Sequence, residues 1–308
     1  MIETEGLGRS FDGNIAVENL NLRVEQGEVF GLLGPNGAGK TTTIRMLACL
    51  IRQSSGTAFV NGFEINKGPD AQRIRSIVGV LPESPGLYES LSANKNLDFF
   101  AQLYGVPKDK RQDRIDELLR MLDVYDRRQE PVATFSKGMK QKIAIARAFV
   151  HDPQVVFLDE PTAGLDPQAS LTVREFLVAL KKEGRTVFIN SHHLDEVERL
   201  CDRIAVMNRT ALAIGSPKEL ARRYWGRTTV LELAVQDPAF VEVVRGFAFA
   251  VNVRTEDGRI LVDLDDPELR NPVIVEALTR AGAKIEYVTE LKRSLEDVYM
   301  KLIGGERR

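Results

Sequence analysis

Short apolar runs alternate with segments of helical periodicity along the larger, N-terminal part of the chain. The runs EVFGLLG, VVFLDE, TVFIN and RIAVM are apolar at successive positions, so both faces of each run are apolar. Strands of a parallel sheet that is covered by helices on both sides show this pattern, whereas half-exposed strands alternate apolar and polar residues. We therefore predict an α/β fold that is built on a mainly parallel sheet.

The segment from about Ser92 to Arg128 has a different pattern. Its stretches SLSANKNLDFFAQLYG and KDKRQDRIDELLRMLDV place apolar residues at helical spacing, and no strand-like run separates them. We predict that these helices belong to an inserted helical subdomain, over about residues 86–150.

The pattern changes again after Trp225. Successive stretches indicate strand, helix, strand, strand, helix and strand, and Asp257-Gly258 between two alternating runs is a strong hairpin signal. This order predicts a small ferredoxin-like α+β domain over residues 226–308, separate from a first domain over residues 1–225. A last helix should follow Ser294 as its N-cap.

Composition restricts the classes of function. The 308 residues have a formal net charge of −2, which does not indicate nucleic acid as a partner. No apolar run approaches the roughly twenty residues that span a bilayer, and the N-terminus lacks the segments of a signal peptide. Cys49 and Cys201 lack metal-ligand spacing, so we expect both to be buried and reduced, and the protein to be cytoplasmic.

The stretch GPNGAGKTT comes directly after the strand-like run EVFGLLG and directly before a helical segment. It fits the pattern G-x-x-x-x-G-K-[ST] of a phosphate-binding loop, in which glycines let backbone N–H groups point at an anion. Lys40 should neutralise the β- and γ-phosphates of a nucleotide, and the Thr41 hydroxyl should bind Mg²⁺. A glycine-rich turn without a ligand is the alternative. The predicted nucleotide ligands are Gly34, Pro35, Asn36, Gly37, Ala38, Gly39, Lys40, Thr41 and Thr42.

Two acids end the strand-like run VVFLDE. Open α/β sheets bind ligands at the carboxyl ends of their strands, so these acids should lie near the phosphate-binding loop. Asp159 could hold Mg²⁺, and Glu160 could polarise the water that attacks the γ-phosphorus. A solvated turn is the alternative.

The stretch FSKGMKQK, residues 135–142, places a hydroxyl, a glycine and three lysines at the start of a predicted helix. Ser136 and Gly138 would suit an anion, because the glycine permits close backbone approach and the helix presents its N-terminus. Ser136 could equally be a plain N-cap. We expect Lys142 to be solvated. One face of the helix should carry Met139, Ile143, Ala146 and Val150.

The three motifs, in this order, resemble the nucleotide-binding subunits of ABC transporters over roughly the first 225 residues. The resemblance implies a P-loop NTPase core with an antiparallel N-terminal β part and a helical signature subdomain. It implies that Phe11 stacks on adenine, that Asp166 signals across a dimer, and that His192 faces the γ-phosphate. In the family two chains enclose two ATP molecules, and the signature segment, here Ser136 to Gly138, contacts the ATP that the other chain holds.

The chain departs from the family pattern at two positions. Lys137 stands where the common signature has glycine, as in exporter ATPases that work beside separate membrane subunits. Glu83, after the strand-like run VGVLP, stands where the family usually has a glutamine that contacts Mg²⁺. A carboxylate can still bind this metal, so we expect Glu83 to tune turnover and not to abolish it.

The resemblance also implies ligands and partners. They are ATP, Mg²⁺, an integral membrane permease subunit and a second ATP-binding subunit, with the protein at the inner face of the cell membrane and export as the expected direction. A soluble ABC-type ATPase acting on ribosomes or DNA is the alternative, although the chain has only one ATPase half and no long coiled coil. A non-hydrolysing nucleotide-binding module is a third option, and the presence of Lys40, Glu160 and His192 opposes it.

Overall fold

The structure is a computed structural model, and it describes residues 1–291 and 293–304. The chain divides into two compact units, Met1–Pro217 and Lys218–Arg308. This division falls shortly before the boundary at residue 225 that the sequence predicts. The helix Pro217–Trp225 therefore lies almost entirely in the C-terminal unit.

The strands of the N-terminal unit are β1 (Ile2–Phe11), β2 (Asn14–Val24), β3 (Val29–Leu33), β4 (Ser55–Val60), β5 (Phe63–Glu64), β6 (Val78–Leu81), β7 (Val155–Asp159), β8 (Thr186–Asn190), β9 (Arg203–Asn208) and β10 (Thr210–Gly215). Its helices are α1 (Lys40–Leu47), α2 (Gly68–Ile77), α3 (Ala93–Leu103), α4 (Lys108–Met121), α5 (Lys137–Phe149), α6 (Pro167–Lys182) and α7 (Leu194–Leu200).

A six-stranded sheet with the order β10-β9-β3-β8-β7-β6 forms the centre of this unit. Neighbouring strands from β9 to β6 are parallel, and β10 at the edge is antiparallel to β9. Every residue of β3, β7 and β8 is buried, because helices cover both faces. The aromatic rings of Phe30, Phe188 and Phe157 follow one another across these three strands, with centroids 5.5 and 5.7 Å apart. The predicted parallel sheet is confirmed.

A second, antiparallel sheet with the order β2-β1-β4-β5 packs beside it. Apolar residues of both sheets, such as Leu7, Val60 and Phe157, share one core with residues of α1 and α2. The expected antiparallel N-terminal β part is therefore present, and it places Phe11 at the end of β1.

The region between β6 and β7 is helical, as the sequence predicts, with α3, α4 and α5 and two short 3-10 turns. The prediction for α5 is wrong in one respect, because the helix is buried on nearly all sides from Gln141 to Val150 and not on a single face. Lys142 is consequently buried, with its Nζ 4.0 Å from a carboxylate oxygen of Asp123, and is not a solvated lysine. The aliphatic part of a lysine side chain can be buried among apolar residues while its charged end reaches a carboxylate.

The C-terminal unit contains α8 (Pro217–Trp225), β11 (Arg227–Leu233), α9 (Pro238–Arg245), β12 (Val251–Glu256), β13 (Arg259–Leu264), α10 (Pro267–Arg280), β14 (Ile285–Glu290) and α11 (Leu295–Gly304). Its antiparallel sheet has the order β12-β13-β11-β14, which is the ferredoxin-like arrangement. Asp257 and Gly258 both have positive φ, 48° and 75°, as a two-residue hairpin of this type requires. Ser294 caps α11, since its Oγ accepts from the Asp297 N–H at 3.2 Å.

Cys49 and Cys201 are free and buried. Burial raises the pKa of both thiols, so each side chain behaves as a small apolar group. Within residues 1–291 and 293–304, no helix has the length and apolar character needed to cross a bilayer.

Candidate active site

The loop GPNGAGKTT connects the end of β3 to the start of α1, as predicted. Gly37 and Gly39 have φ angles of 82° and 95°, which glycine adopts far more readily than other residues. A Cβ at Gly39 would lie only 2.3 Å from the carbonyl oxygen of Ala16, and one at Gly34 would lie 2.3 Å from that of Met207. Glycine is therefore required at 34 and 39 because neighbouring backbone passes close to the loop.

Lys40 is held across the mouth of this loop. Its Nζ donates to the carbonyl oxygens of Gly34 at 2.7 Å and Pro35 at 3.1 Å. Burial lowers the pKa of Lys40, and the charges of Glu160 and Asp159 oppose that shift. A buried cation beside a glycine-rich turn at the N-terminus of a helix is suited to bind phosphate.

Asp159 ends β7 and is buried. Asn190, at the end of the neighbouring strand β8, donates from Nδ2 to Asp159 Oδ1. Burial raises the pKa of the Asp159 carboxyl, while hydrogen bonds from Thr41 and Asn190 oppose the shift. The acid is thus placed beside the first turn of α1, where a metal bound by Thr41 would lie.

Glu160 has a positive φ of 52°, which is uncommon for a residue with a side chain. Its N–H donates to the Asn190 carbonyl oxygen at 2.8 Å, so its backbone is tied to the end of β8. His192, two residues beyond Asn190, approaches the other end of Glu160, with Nδ1 2.7 Å from Oε2. The structure therefore brings the two predicted catalytic residues into direct contact.

A cavity of about 410 Å³ lies over the phosphate-binding loop. It brings together most of the predicted site residues, and the guanidinium of Arg9 covers the Phe11 ring at 4.4 Å from its centroid. Its lining includes Phe11, Asn36, Gly37, Ala38, Gly39, Lys40, Thr41, Thr42, Glu83, Asp159, Glu160 and Asn190. Gly34 and Pro35 contribute their carbonyl oxygens as acceptors for Lys40 Nζ, and His192 joins the site through its contact with Glu160.

Three predicted nucleotide ligands do not line that cavity and lie at the starts of α5 and α6: Ser136, Gly138 and Asp166. Ser136 is the N-cap of α5, and its Oγ accepts from the Met139 N–H at 3.3 Å. Asp166 caps α6 by accepting from Ala169 N–H at 2.8 Å. A Cβ at Gly138 would lie 3.2 Å from Ala169 Cβ and 3.6 Å from Asp166 Oδ2. The signature segment and the stretch AGLD, residues 163–166, are therefore packed against each other.

Three further side chains hold the site together, and the sequence reasoning did not identify them. Asn190 binds Asp159, and Gln141 donates from Nε2 to the Pro161 carbonyl oxygen at 3.1 Å. The buried Glu196 accepts from the Thr162 hydroxyl at 2.7 Å. Asn190 could have been noticed as a polar end to the apolar run TVFIN, whereas the acids of HHLDEVE look like ordinary residues of a first helical turn.

Similarity to known proteins agrees with this geometry. The family model for the ABC transporter matches residues 17–163. The linearmycin resistance ATP-binding protein of Bacillus subtilis (strain 168) is 32% identical over 314 residues, which cover 100% of both chains. The chain belongs to the ABC transporter ATP-binding proteins. The bacitracin transport ATP-binding protein of Bacillus licheniformis is also similar, with 36% identity over 99% of this chain and 98% of the relative.

A solved ATP-binding subunit of an ABC transporter matches with a TM-score of 0.68 and 32% identity, over 73% of this chain and 94% of that chain. As an ABC transporter ATP-binding protein, the chain binds ATP and hydrolyses it to drive transport. The predicted P-loop core and ATPase activity are thereby confirmed.

Proposed function

We propose that the cavity over the phosphate-binding loop is where ATP is hydrolysed. The observation that carries this proposal is the convergence of Lys40, Asp159 and Glu160 on one cavity that Phe11 also lines. Adenine would stack on Phe11, and the β- and γ-phosphates would lie against the loop and Lys40. Glu160 would take a proton from the attacking water. His192 would contact both Glu160 and the γ-phosphate and so fix their relative position.

Mg²⁺ fits the donors at this site. The described residues contain no cluster of three or more His, Cys, Asp or Glu side chains arranged to hold a metal by themselves. Mg²⁺ is usually bound by one or two carboxylates together with substrate phosphates, so a complete protein cage is not needed. We propose Thr41, Asp159 and Glu83 as its oxygen ligands, with Glu83 in place of the usual glutamine. When bound, the metal would neutralise charge on the phosphates.

Replacing Glu160 by glutamine tests the catalytic assignment. Glu160→Gln keeps the size of the side chain but cannot take a proton, so hydrolysis should fall by about a hundredfold or more while ATP still binds. The matched control is Glu175→Gln, an exposed glutamate on α6, which should hydrolyse ATP at the normal rate. Turnover and ATP affinity would be measured separately, by phosphate release and by calorimetry. Near-normal turnover of Glu160→Gln would remove Glu160 from this role.

We also propose that two copies close around two ATP molecules, with Ser136, Gly138 and Asp166 acting on the nucleotide of the other copy. The position of these residues outside the cavity of their own chain supports this. Gly138→Asp is a poor probe, because the new carboxylate would also meet Asp166 in the same chain. Lys137→Glu is better, since Lys137 is exposed and an acid is favourable in the first turn of α5.

A negative charge at 137 should prevent the ATP-bound dimer. Like charges about 4 Å apart in a partly desolvated interface cost several kcal/mol, so few closed dimers should remain. In chromatography with Mg-ATP, Glu160→Gln should elute partly as a dimer, and Glu160→Gln with Lys137→Glu should elute as a monomer that still binds ATP. Lys108→Glu, the same change at the first residue of α4, is the control. If Glu160→Gln with Lys137→Glu forms as much dimer as Glu160→Gln with Lys108→Glu, the proposal is contradicted.

We propose that the transport is export through a separate permease subunit at the inner face of the cell membrane. The similar proteins are named for linearmycin resistance and bacitracin transport, which favours a transporter over a ribosomal or DNA-directed ATPase. The helical subdomain offers a surface for such a subunit. Tyr88 and Phe99 meet edge to face with centroids 5.2 Å apart, and both remain about half exposed beside the more exposed Leu103.

A further inference from the structure

The segments that carry Glu160 and His192 are joined a second time, behind the cavity, by a buried carboxylate. Glu196 lies on α7 and accepts from the Thr162 hydroxyl at 2.7 Å. The same oxygen, Oε2, accepts from the Ser191 hydroxyl at 3.3 Å. Thr162 follows Glu160 by two residues and Ser191 directly precedes His192, so one carboxylate oxygen connects the two loops.

The two hydroxyls are themselves fixed within their loops. Ser191 Oγ also accepts from the His193 N–H at 3.1 Å, which holds the turn that presents His192. Thr162 and Ser191 are buried together with Glu196. A hydrogen bond from a buried hydroxyl is costly to lose, since water cannot replace the partner. Movement of one loop would therefore be transmitted to the other through Glu196.

Glu196 is an unusual residue for a purely structural contact. Its other oxygen, Oε1, is buried and has no hydrogen-bond partner among the described residues. Burial raises the pKa of this carboxyl, and the hydrogen bond from Thr162 opposes the shift. The charge of Arg174 on α6 also opposes the shift, and His193 is the titratable group next to Glu196 on the same segment. An uncompensated polar group of this kind is destabilising, so its position calls for a reason other than stability.

We infer that Glu196 is a positioning residue that sets the contact between Glu160 and His192. It touches neither ATP nor the reacting atoms, and it acts by holding Thr162 and Ser191 at a constant separation. This inference rests on the proposed roles of Glu160 and His192. Displacement of a catalytic group by about 1 Å can lower a rate by roughly a hundredfold, so loss of Glu196 should affect turnover and not ATP affinity.

The central test is Glu196→Met, which keeps the length of the side chain and removes both oxygens. We expect kcat to fall about tenfold or more, with the ATP dissociation constant and the KM for ATP changed by less than about twofold. Glu196→Gln keeps one acceptor oxygen for both hydroxyls and should retain most of the wild-type kcat. Unchanged kcat in Glu196→Met would overturn the inference, and so would a loss of ATP affinity as large as the loss of kcat.

Thr162→Val provides a second test that does not depend on the folding of Glu196→Met. It removes only the hydroxyl that bonds Glu196, so kcat should fall, and the fall should not add to that of Glu196→Met. The matched control is Thr172→Val, a buried threonine whose hydroxyl bonds the Gln168 carbonyl of its own helix. It should keep the wild-type kcat. Equal activity of Thr162→Val and Thr172→Val would refute the role of Glu196.

Histidine spectra report the positioning directly, because the chain has three histidines. The ring resonances of His192, identified by their loss in His192→Gln, should shift in Glu196→Met, while those of the distant His151 should not. An unchanged His192 spectrum would contradict the inference. Failure of this inference can be distinguished from failure of the proposed catalytic role of Glu160. If Glu160→Gln is inactive and Glu196→Met is fully active, the inference about Glu196 is refuted while the role of Glu160 stands.

Discussion

The glycines of the phosphate-binding loop have different reasons to be glycine, and alanine substitutions should separate them. Gly37 and Gly39 both have positive φ, but a Cβ at Gly37 would meet nothing within 4 Å. A Cβ at Gly39 would lie 2.3 Å from the Ala16 carbonyl oxygen and 2.8 Å from Val17 Cγ2. Gly37→Ala therefore introduces backbone strain alone, whereas Gly39→Ala also forces β2 away from the loop.

The magnitudes follow from these two contributions. A residue with a Cβ in the left-handed region loses about 1–2 kcal/mol, which is the whole expected effect of Gly37→Ala. Forcing an extra methyl group into a packed site costs about 1–3 kcal/mol more, so Gly39→Ala should lose about 2–5 kcal/mol. The free energies of unfolding should thus differ by about 1–3 kcal/mol between the variants. For a urea m-value of about 3 kcal/mol/M, the midpoints should differ by about 0.3–1 M.

Urea unfolding followed by far-ultraviolet circular dichroism would measure this difference in stability. Calorimetry with ATP would measure the nucleotide affinity of each variant. Gly39→Ala should also bind ATP more weakly than Gly37→Ala, because displaced N–H groups no longer point at the phosphates. Equal midpoints for the two variants would refute the reasoning from the close approach of Ala16. An Ala16 substitution would not serve as a control, since the contact is with its backbone oxygen.

Three further predictions follow from other parts of the molecule. Glu83→Gln should raise the Mg²⁺ concentration for half-maximal ATP hydrolysis if the carboxylate binds the metal, and an unchanged titration would exclude this. Burial lowers the pKa of His151 from 6.5 to about 4, so the unfolded chain binds the proton first and stability should fall as the pH decreases from 6.5 to 4. His151→Gln should flatten that dependence in thermal unfolding, and an identical slope would contradict it. A chain ending at Ser216 should fold and bind ATP, whereas one ending at Trp225 should be less soluble. In the longer chain the Trp225 ring would lose its contact with Lys301, whose Nζ lies 4.5 Å from the ring centroid. Equal solubility of the two chains would argue against the boundary at Pro217.

The sequence predicts those parts of the fold that local patterns determine. Strands β3, β7 and β8 are apolar at successive positions up to their polar ends, so their burial and their parallel arrangement follow from the pattern. The hairpin at Asp257 follows as well, since Asp-Gly suits a turn with two positive φ angles. For the active site, the order of strand, glycine-rich loop and helix was sufficient to predict the position of Lys40.

Features that depend on distant contacts could not be predicted in this way. Lys142 belongs to a lysine-rich stretch that looks exposed, but it lies on α5, which is surrounded by other elements, so its side chain is buried. Glu196 is an acid in the first turn of a helix, and nothing local shows that Thr162 lies beside it. Trp225 ends the apparent first domain in sequence, yet its ring contacts belong to the C-terminal unit.

The row of phenylalanine rings at 30, 188 and 157 has a consequence for comparing relatives. These three strands end at the phosphate-binding loop, at Asn190 and at Asp159, so the rings act as spacers between segments that are far apart in the chain. A smaller side chain at one of these three positions would be tolerated best if a neighbouring side chain became larger, because packed cores tolerate substitutions that keep the total volume. The residues at these three positions should therefore vary together among homologues. Their combined volume should stay nearly constant, since it keeps the catalytic segments at the ends of the strands at a constant spacing.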